Sequence, residues 1–223
     1  MERSYKILST KLLPEAEKAA LLSYDYTEKA FINIALNKNF LVANLIDFAV
    51  FTSPNAVKAI FEDPEHKTKV FKQVFCVGEK TAQLLKTYTI DVHTVCLNAV
   101  DLAKALIQTV NKSDLITFFC GNLRRDELPD LLRDHEIEVQ EIEVYTTTLV
   151  GANLNTTFDA VLFFSPSAVK SYVASGNNLN TIAFCIGTTT AVAAIMELEN
   201  VYVAERPTVA SVFALLQEVL PTE

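Results

Sequence analysis

The chain has 223 residues, half of them apolar and 21% charged, with a formal net charge of −8. That supplies one or two packed cores and excludes a disordered chain. The negative balance argues against nucleic acid, whose phosphates demand clustered Lys and Arg, and five glycines leave little material for glycine-rich cofactor loops.

Along the chain, strands are predicted at 5–9, 31–36, 46–52, 73–77, 90–95, 114–119, 137–145, 159–164, 181–186 and 200–204. They are short and mostly apolar on both faces, as strands of a buried parallel sheet are. Helical periodicity falls between them, at about 14–24, 54–62, 79–87, 99–110, 124–135, 166–175, 188–198 and 207–219. Strict alternation of strand and helix predicts an α/β chain with helices on both faces of parallel sheets. Pro54, Pro166 and Pro207 are expected just inside helix starts, where a missing N–H is harmless. No stretch approaches the ~18–20 apolar residues of a membrane span, and MERSYKILST lacks an apolar core of signal-peptide length. A cytoplasmic protein with no membrane partner is expected. Cys76, Cys96, Cys120 and Cys185 form no CxxC pair and stand far from His66, His93 and His135. They read as small buried hydrophobes, and no metal or cofactor is indicated. His66 and His135 lie in charged surroundings and read as solvated.

The chain repeats itself. FTSPNAVK at 51–58 returns as FFSPSAVK at 163–170, and FCVGEKTA at 75–82 returns as FCIGTTTA at 184–191. A third match joins 98–107 to 207–216. Two or more motifs in one order at nearly one spacing indicate a duplicated unit. After the third match the first copy continues through a strand, a helix and a strand, whereas the second has no such residues left. The N-terminus supplies them, with Ile7-Leu8-Ser9-Thr10 set against Phe118-Phe119-Cys120-Gly121. The expected organisation is a discontinuous domain of residues 1–33 plus 150–223 and an inserted domain of 36–147. Each has five parallel strands in flavodoxin-like order, and two linkers at about 33–38 and 146–152 join them. Two sequential domains divided near 112 would leave the N-terminal segment without a counterpart.

In open α/β sheets ligands bind beyond the carboxyl ends of the strands. The repeat motifs fall there. Ser53 and Asn55 match Ser165 and Ser167, with Thr52 opposite Phe164, and Gly78 and Thr81 match Gly187 and Thr190, with Thr188 and Thr189 between the latter pair. These junctions offer hydroxyls and helix N-termini suited to an anion. Gly121 and Asn122 open a third junction, followed by Arg124 and Arg125, with Ser9-Thr10-Lys11 as its counterpart. Helix capping alone accounts for any single Ser or Thr among these residues. Recurrence in both copies is what favours a ligand. Tyr145 ends the predicted strand 137–145, where it serves either as a half-buried strand residue or as a phenolic proton donor. Nucleophile elbows, phosphate loops and zinc-protease motifs are absent from the sequence.

At these residues the chain resembles the uroporphyrinogen-III synthase family. The resemblance rests on FTSPNAVKAIF, CVGEKTAQLL, FFCGNLRRDELPDLLRDHEIEVQEIEVYTT, FFSPSAVKSYV and CIGTTTAVAA, which together span most of residues 46–195. The block CGN-x-R-x-x-x-L-P followed by VY-x-T is the most telling. The segment between Ser9 and Phe31 is short and departs from the family pattern. The resemblance implies two βα domains with the active site in the cleft between them. It implies hydroxymethylbilane, a linear tetrapyrrole with eight carboxylates, as substrate. Loss of its hydroxyl as water gives an azafulvene, a spiro intermediate follows, and the ring closes with the terminal pyrrole inverted. Thr81 and Thr190 are then cleft threonines, and Ser53, Asn55, Ser165 and Ser167 carboxylate binders. Asn122 lines the opening, and Tyr145 is a candidate general acid, though not an essential one. A monomer without cofactor is expected. The alternative is a non-catalytic two-domain binder or sensor of small anions.

Overall fold

The computed structural model describes residues 4–222; positions 1–3 and 223, the extremities of the predicted discontinuous domain, lie outside the described residues. β1 (Lys6–Ser9) leads through the one-turn helix α1 (Glu15–Lys18) and a 3-10 turn at Ala19–Leu21 into β2 (Asp25–Glu28). Next come β3 (Ile32–Leu36), β4 (Leu45–Phe51), α2 (Pro54–Phe61), β5 (Val70–Val77), α3 (Glu79–Thr87), β6 (Thr94–Cys96) and α4 (Ala99–Thr109). β7 (Leu115–Gly121), α5 (Glu127–Asp134) and the long β8 (Glu138–Leu149) follow. Then come β9 (Ala160–Phe163), α6 (Pro166–Ala174), β10 (Ile182–Cys185), α7 (Thr188–Ile195), β11 (Asn200–Val203) and α8 (Val209–Val219).

The chain divides into two compact units, Met1–Asn33 with Thr148–Glu223, and Ile34–Thr147. The first holds a sheet of order β11-β10-β9-β1-β2, parallel throughout. α6 and α7 cover one face of that sheet through Ala168, Val169, Tyr172, Ala191 and Ala194. α8 covers the other through Val212, Phe213 and Leu216. The second sheet has the order β3-β8-β7-β4-β5-β6, with β4 to β8 parallel. Its faces carry α2 and α3, and α4 and α5, respectively. Both sheets trace one walk, second strand, first, third, fourth and fifth, but β7 and β8 play the part that β1 and β2 play in the first unit. Buried aliphatic and aromatic side chains on both faces explain why most strands read as continuous apolar runs.

Several elements differ from expectation. β2, sequence DYTE, went unpredicted. It is an edge strand with no fully buried residue, so it carries no apolar run. The predicted helix 14–24 is a single α-turn, because the Glu28 carboxylate accepts from the Leu13 N–H at 3.2 Å and the Lys18 ammonium at 2.9 Å and folds the connection back onto β2. β3, expected to complete the first sheet, lies at the edge of the second. Residues 90–93, predicted as strand, precede β6. Pro207 stands outside α8, whose N-cap is Thr208; Pro54 and Pro166 do open α2 and α6. His66 is buried, its ring stacked on Phe40 at 3.9 Å with Nδ1 2.9 Å from Asp63, so it is not the solvated residue its charged neighbours suggest. The N-terminal match is displaced by two residues. Ile7 pairs with Ala160 and Ile116 with Phe48, each partner five positions before its repeat serine (Ser165 and Ser53), so Ile7 corresponds to Ile116.

Candidate functional site

In the second unit β7, β4 and β5 are parallel neighbours, so their carboxyl ends set Gly121, Ser53 and Gly78 in a row along one sheet edge. In the first unit β9 and β10 do the same for Ser165 and Gly187. The predicted residues therefore form two rows, one in each unit.

The serine junctions resemble each other less than their sequences do. Ser53 caps α2 by accepting the Asn55 N–H at 3.2 Å. With Pro54 lacking an N–H and Ala56 and Val57 bonded to the Ser53 carbonyl, the first turn of α2 has no amide to offer. Ser165 caps α6 through the Ala168 N–H at 3.1 Å, and its hydroxyl lies 3.0 Å from that of Ser167. Ser167 keeps its own amide unbonded among the described residues.

The glycine junctions are closer twins. Gly78 and Gly187 are the N-caps of α3 and α7 and bring no side-chain acceptor. Gly78 has φ +83, which suits glycine and would strain other residues. Gly187 is extended, and a Cβ there would meet nothing within 4 Å. Thr81 and Thr190 are each the third helical residue and bond by N–H to the carbonyl of their glycine at 3.1 Å. Both are 2% exposed. Neither hydroxyl makes a hydrogen bond among the described residues, and neither is one of the enclosed unpartnered side-chain atoms, which are Gln73 Oε1 and Thr181 Oγ1. The Thr188 and Thr189 amides are likewise unbonded there, and both residues are exposed.

At the third junction the expected cations are committed. Arg124 bonds Glu141 through Nε and Asp126 at 2.8 Å, and Arg133 takes the other Glu141 oxygen. Burial alone would raise the Glu141 carboxyl, but the two guanidiniums hold it below its ordinary range. Arg125 lies 3.5 Å from Glu127. The Asn122 amide is occupied too, donating to the Thr147 carbonyl at 3.1 Å and accepting the Thr147 N–H at 2.7 Å. Ser9 and Thr10 spend their hydroxyls internally, Thr10 on the Leu162 carbonyl at 2.7 Å.

Tyr145 does not end its strand. β8 continues to Leu149 because Thr146–Thr148 are β-branched and Asn122 extends the ladder to Thr147. The half-buried phenol lies near the Ser53 side chain. Burial pushes it above its ordinary 10.0, against the lowering effect of Ser53. It keeps its proton at neutral pH and can donate a hydrogen bond. The nearness of Ser53 and Tyr145 has no sequence signal, since the two stand 92 positions apart. Among the described residues there is no His, Cys, Asp and Glu cluster that could hold a metal, and no helix is long and apolar enough to cross a membrane.

Comparison with known proteins agrees with this architecture. The family Uroporphyrinogen-III synthase HemD matches over residues 28–214, which take in both rows and Tyr145. A curated relative, the porphyrin biosynthesis protein HemD of Ruminiclostridium josui, is 24% identical over 188 residues. That stretch is 76% of this chain but only 37% of the relative, so the chain matches little more than a third of the relative's length. Among solved structures, the uroporphyrinogen-III synthetase of Helicobacter pylori 26695 superposes with a TM-score of 0.71 at 17% identity, covering 96% of this chain and 99% of that one. A mutant uroporphyrinogen III synthase of the extremely thermophilic bacterium Thermus thermophilus gives 0.69 at 18% identity, covering 99% and 100%. At that identity the structures speak for the fold, and the family match decides the assignment: the chain belongs to the uroporphyrinogen-III synthase HemD family.

Proposed function

We propose that this protein is a uroporphyrinogen-III synthase, a cyclising hydro-lyase of haem biosynthesis. Its substrate is hydroxymethylbilane, and each turnover releases one water and closes the macrocycle with the terminal pyrrole inverted. The observation that carries the reading is the family match over residues 28–214, which encloses every junction of the two rows.

The chemistry asks little of side chains. The hydroxymethyl carbon loses its oxygen with assistance from the pyrrole nitrogen, giving an azafulvene. The substituted carbon of the terminal ring attacks it, and the spiro intermediate then opens and recloses. The protein's task is to fold the tetrapyrrole and bias closure, which positioning and fixed dipoles supply. The Thr188, Thr189 and Ser167 amides and the Thr81 and Thr190 hydroxyls bind carboxylate arms without a cluster of cations, which suits a chain of net charge −8. Ser53, Thr52, Asn55 and Ser165 complete the rows. Tyr145 donates to the departing hydroxyl. Because its phenol is held above 10.0 it acts as a neutral hydrogen-bond donor, so it assists without being indispensable.

The test is to supply freshly made hydroxymethylbilane, oxidise the products and separate the porphyrin isomers. Type III product in excess of the protein-free control is expected. Type I alone, as without protein, would leave a non-catalytic binder of small anions.

A further inference from the structure

β7 and β8 pair residue for residue from Leu115 and Glu138 to Cys120 and Glu143, and then β8 takes one residue more, so that Gly121 faces Tyr145 instead of Val144. This is a bulge, a device that re-aims a side chain. In a regular strand Tyr145 would leave the face opposite Val144. Here it packs with Ile142 and Val144 against the core beneath α2 and α3, while Glu143 is exposed. The ring lies against Gly121. A Cβ at that position would stand 2.4 Å from Cε2 and Cζ of Tyr145 and 2.9 Å from its hydroxyl oxygen. Gly121 has no positive φ, so it is the tyrosine and not the backbone that requires glycine there. Beyond the bulge Asn122 closes the ladder, giving its N–H to the Tyr145 carbonyl at 3.3 Å and its side-chain amide to both backbone groups of Thr147.

We propose that Gly121 and Asn122 are positioning residues for Tyr145: the bulge and the missing Cβ form a seat for its ring, and Asn122 clasps β8 onto that seat. The phenol is thereby set near Ser53, the α2 N-cap, at the carboxyl edge of the sheet. The inference rests on the reading of Tyr145 as the donor to the leaving hydroxyl, and it gives Asn122 a role other than substrate contact.

The seat is tested by a double-mutant cycle on unfolding stability. Gly121→Ala should destabilise the wild-type protein and cost nothing in the Tyr145→Ser background, where the ring is gone. An equal cost in both backgrounds would overturn the seat. The clasp is tested with Asn122→Ala in protein labelled with 3-fluorotyrosine, the Tyr145 resonance being assigned by its loss in Tyr145→Phe. Expected are a shifted or broadened Tyr145 signal and a kcat lowered on the order of tenfold with KM unchanged. A raised KM with the Tyr145 signal unmoved would make Asn122 a substrate ligand and overturn the clasp. Full turnover by Tyr145→Phe would remove the donor role alone, since the stability cycle reads the seat without reference to activity.

Discussion

Thr81 and Thr190 hold the same place in their units, each 2% exposed and each with a hydroxyl that bonds nothing among the described residues. A hydroxyl that makes no bond within the protein adds little to stability that an isosteric methyl would forfeit. Replacing either with valine should therefore leave stability unchanged or slightly raised. If the hydroxyls bind carboxylates, the same replacements should raise KM by roughly three- to tenfold each, the worth of one hydrogen bond. Unaltered kinetics in Thr190→Val would take that residue out of the site. The equivalent placement of these threonines at two helix starts was readable from sequence because the glycine-threonine motif occurs twice. Asn122 and Tyr145 were readable only as candidates. The bulge that aims Tyr145 depends on a register shift between strands some twenty residues apart, and the partner that occupies Asn122 is a backbone group with no sequence signature.

Among the elements, α2 and α6 begin with the same Ser-Pro pair but are capped differently. Ser165 bonds the Ala168 N–H, three positions on, and Ser53 the Asn55 N–H, two positions on. Ser165→Ala should cost about 1 kcal/mol in unfolding free energy, and Ser165→Asp, an equally good cap, should recover it. Turnover separates the roles. A serine that only caps regains activity with stability in the aspartate variant, whereas one that receives substrate carboxylates loses it through charge repulsion. Elements with apolar sequences were legible, and α3 runs over 79–87 as predicted. Those set by a sheet's periphery were not. β2 has one neighbour and little to bury, so its polar sequence DYTE carries no strand signal. The two-residue displacement of β1 against β7 escaped detection because a shift of two returns every side chain to its own face.

At the scale of the whole molecule, burial of thiols and phenols ties stability to alkaline pH. It pushes Cys76 and Cys120 up to about 11 from an ordinary 9.0, and Cys185 and Tyr172 up to about 12 from 9.0 and 10.0. Between the lower and the upper values the unfolded chain sheds protons that the folded chain retains. Their contribution is complete below pH 9 and drains away as pH rises towards 12. The denaturant midpoint should fall steadily from pH 9 to 11, and Cys185→Ala should flatten the fall; a midpoint indifferent to pH would contradict it. The order of strands has a consequence of another kind. Residues 34–147 are contiguous and can fold while synthesis proceeds, but β1 sits inside a sheet whose other central strand, β9, emerges from the ribosome some 150 residues later. The leading βαβ segment must wait, its Ile7 and Leu8 exposed to chaperones. A folded insert shortens the loop to be closed and so eases that return.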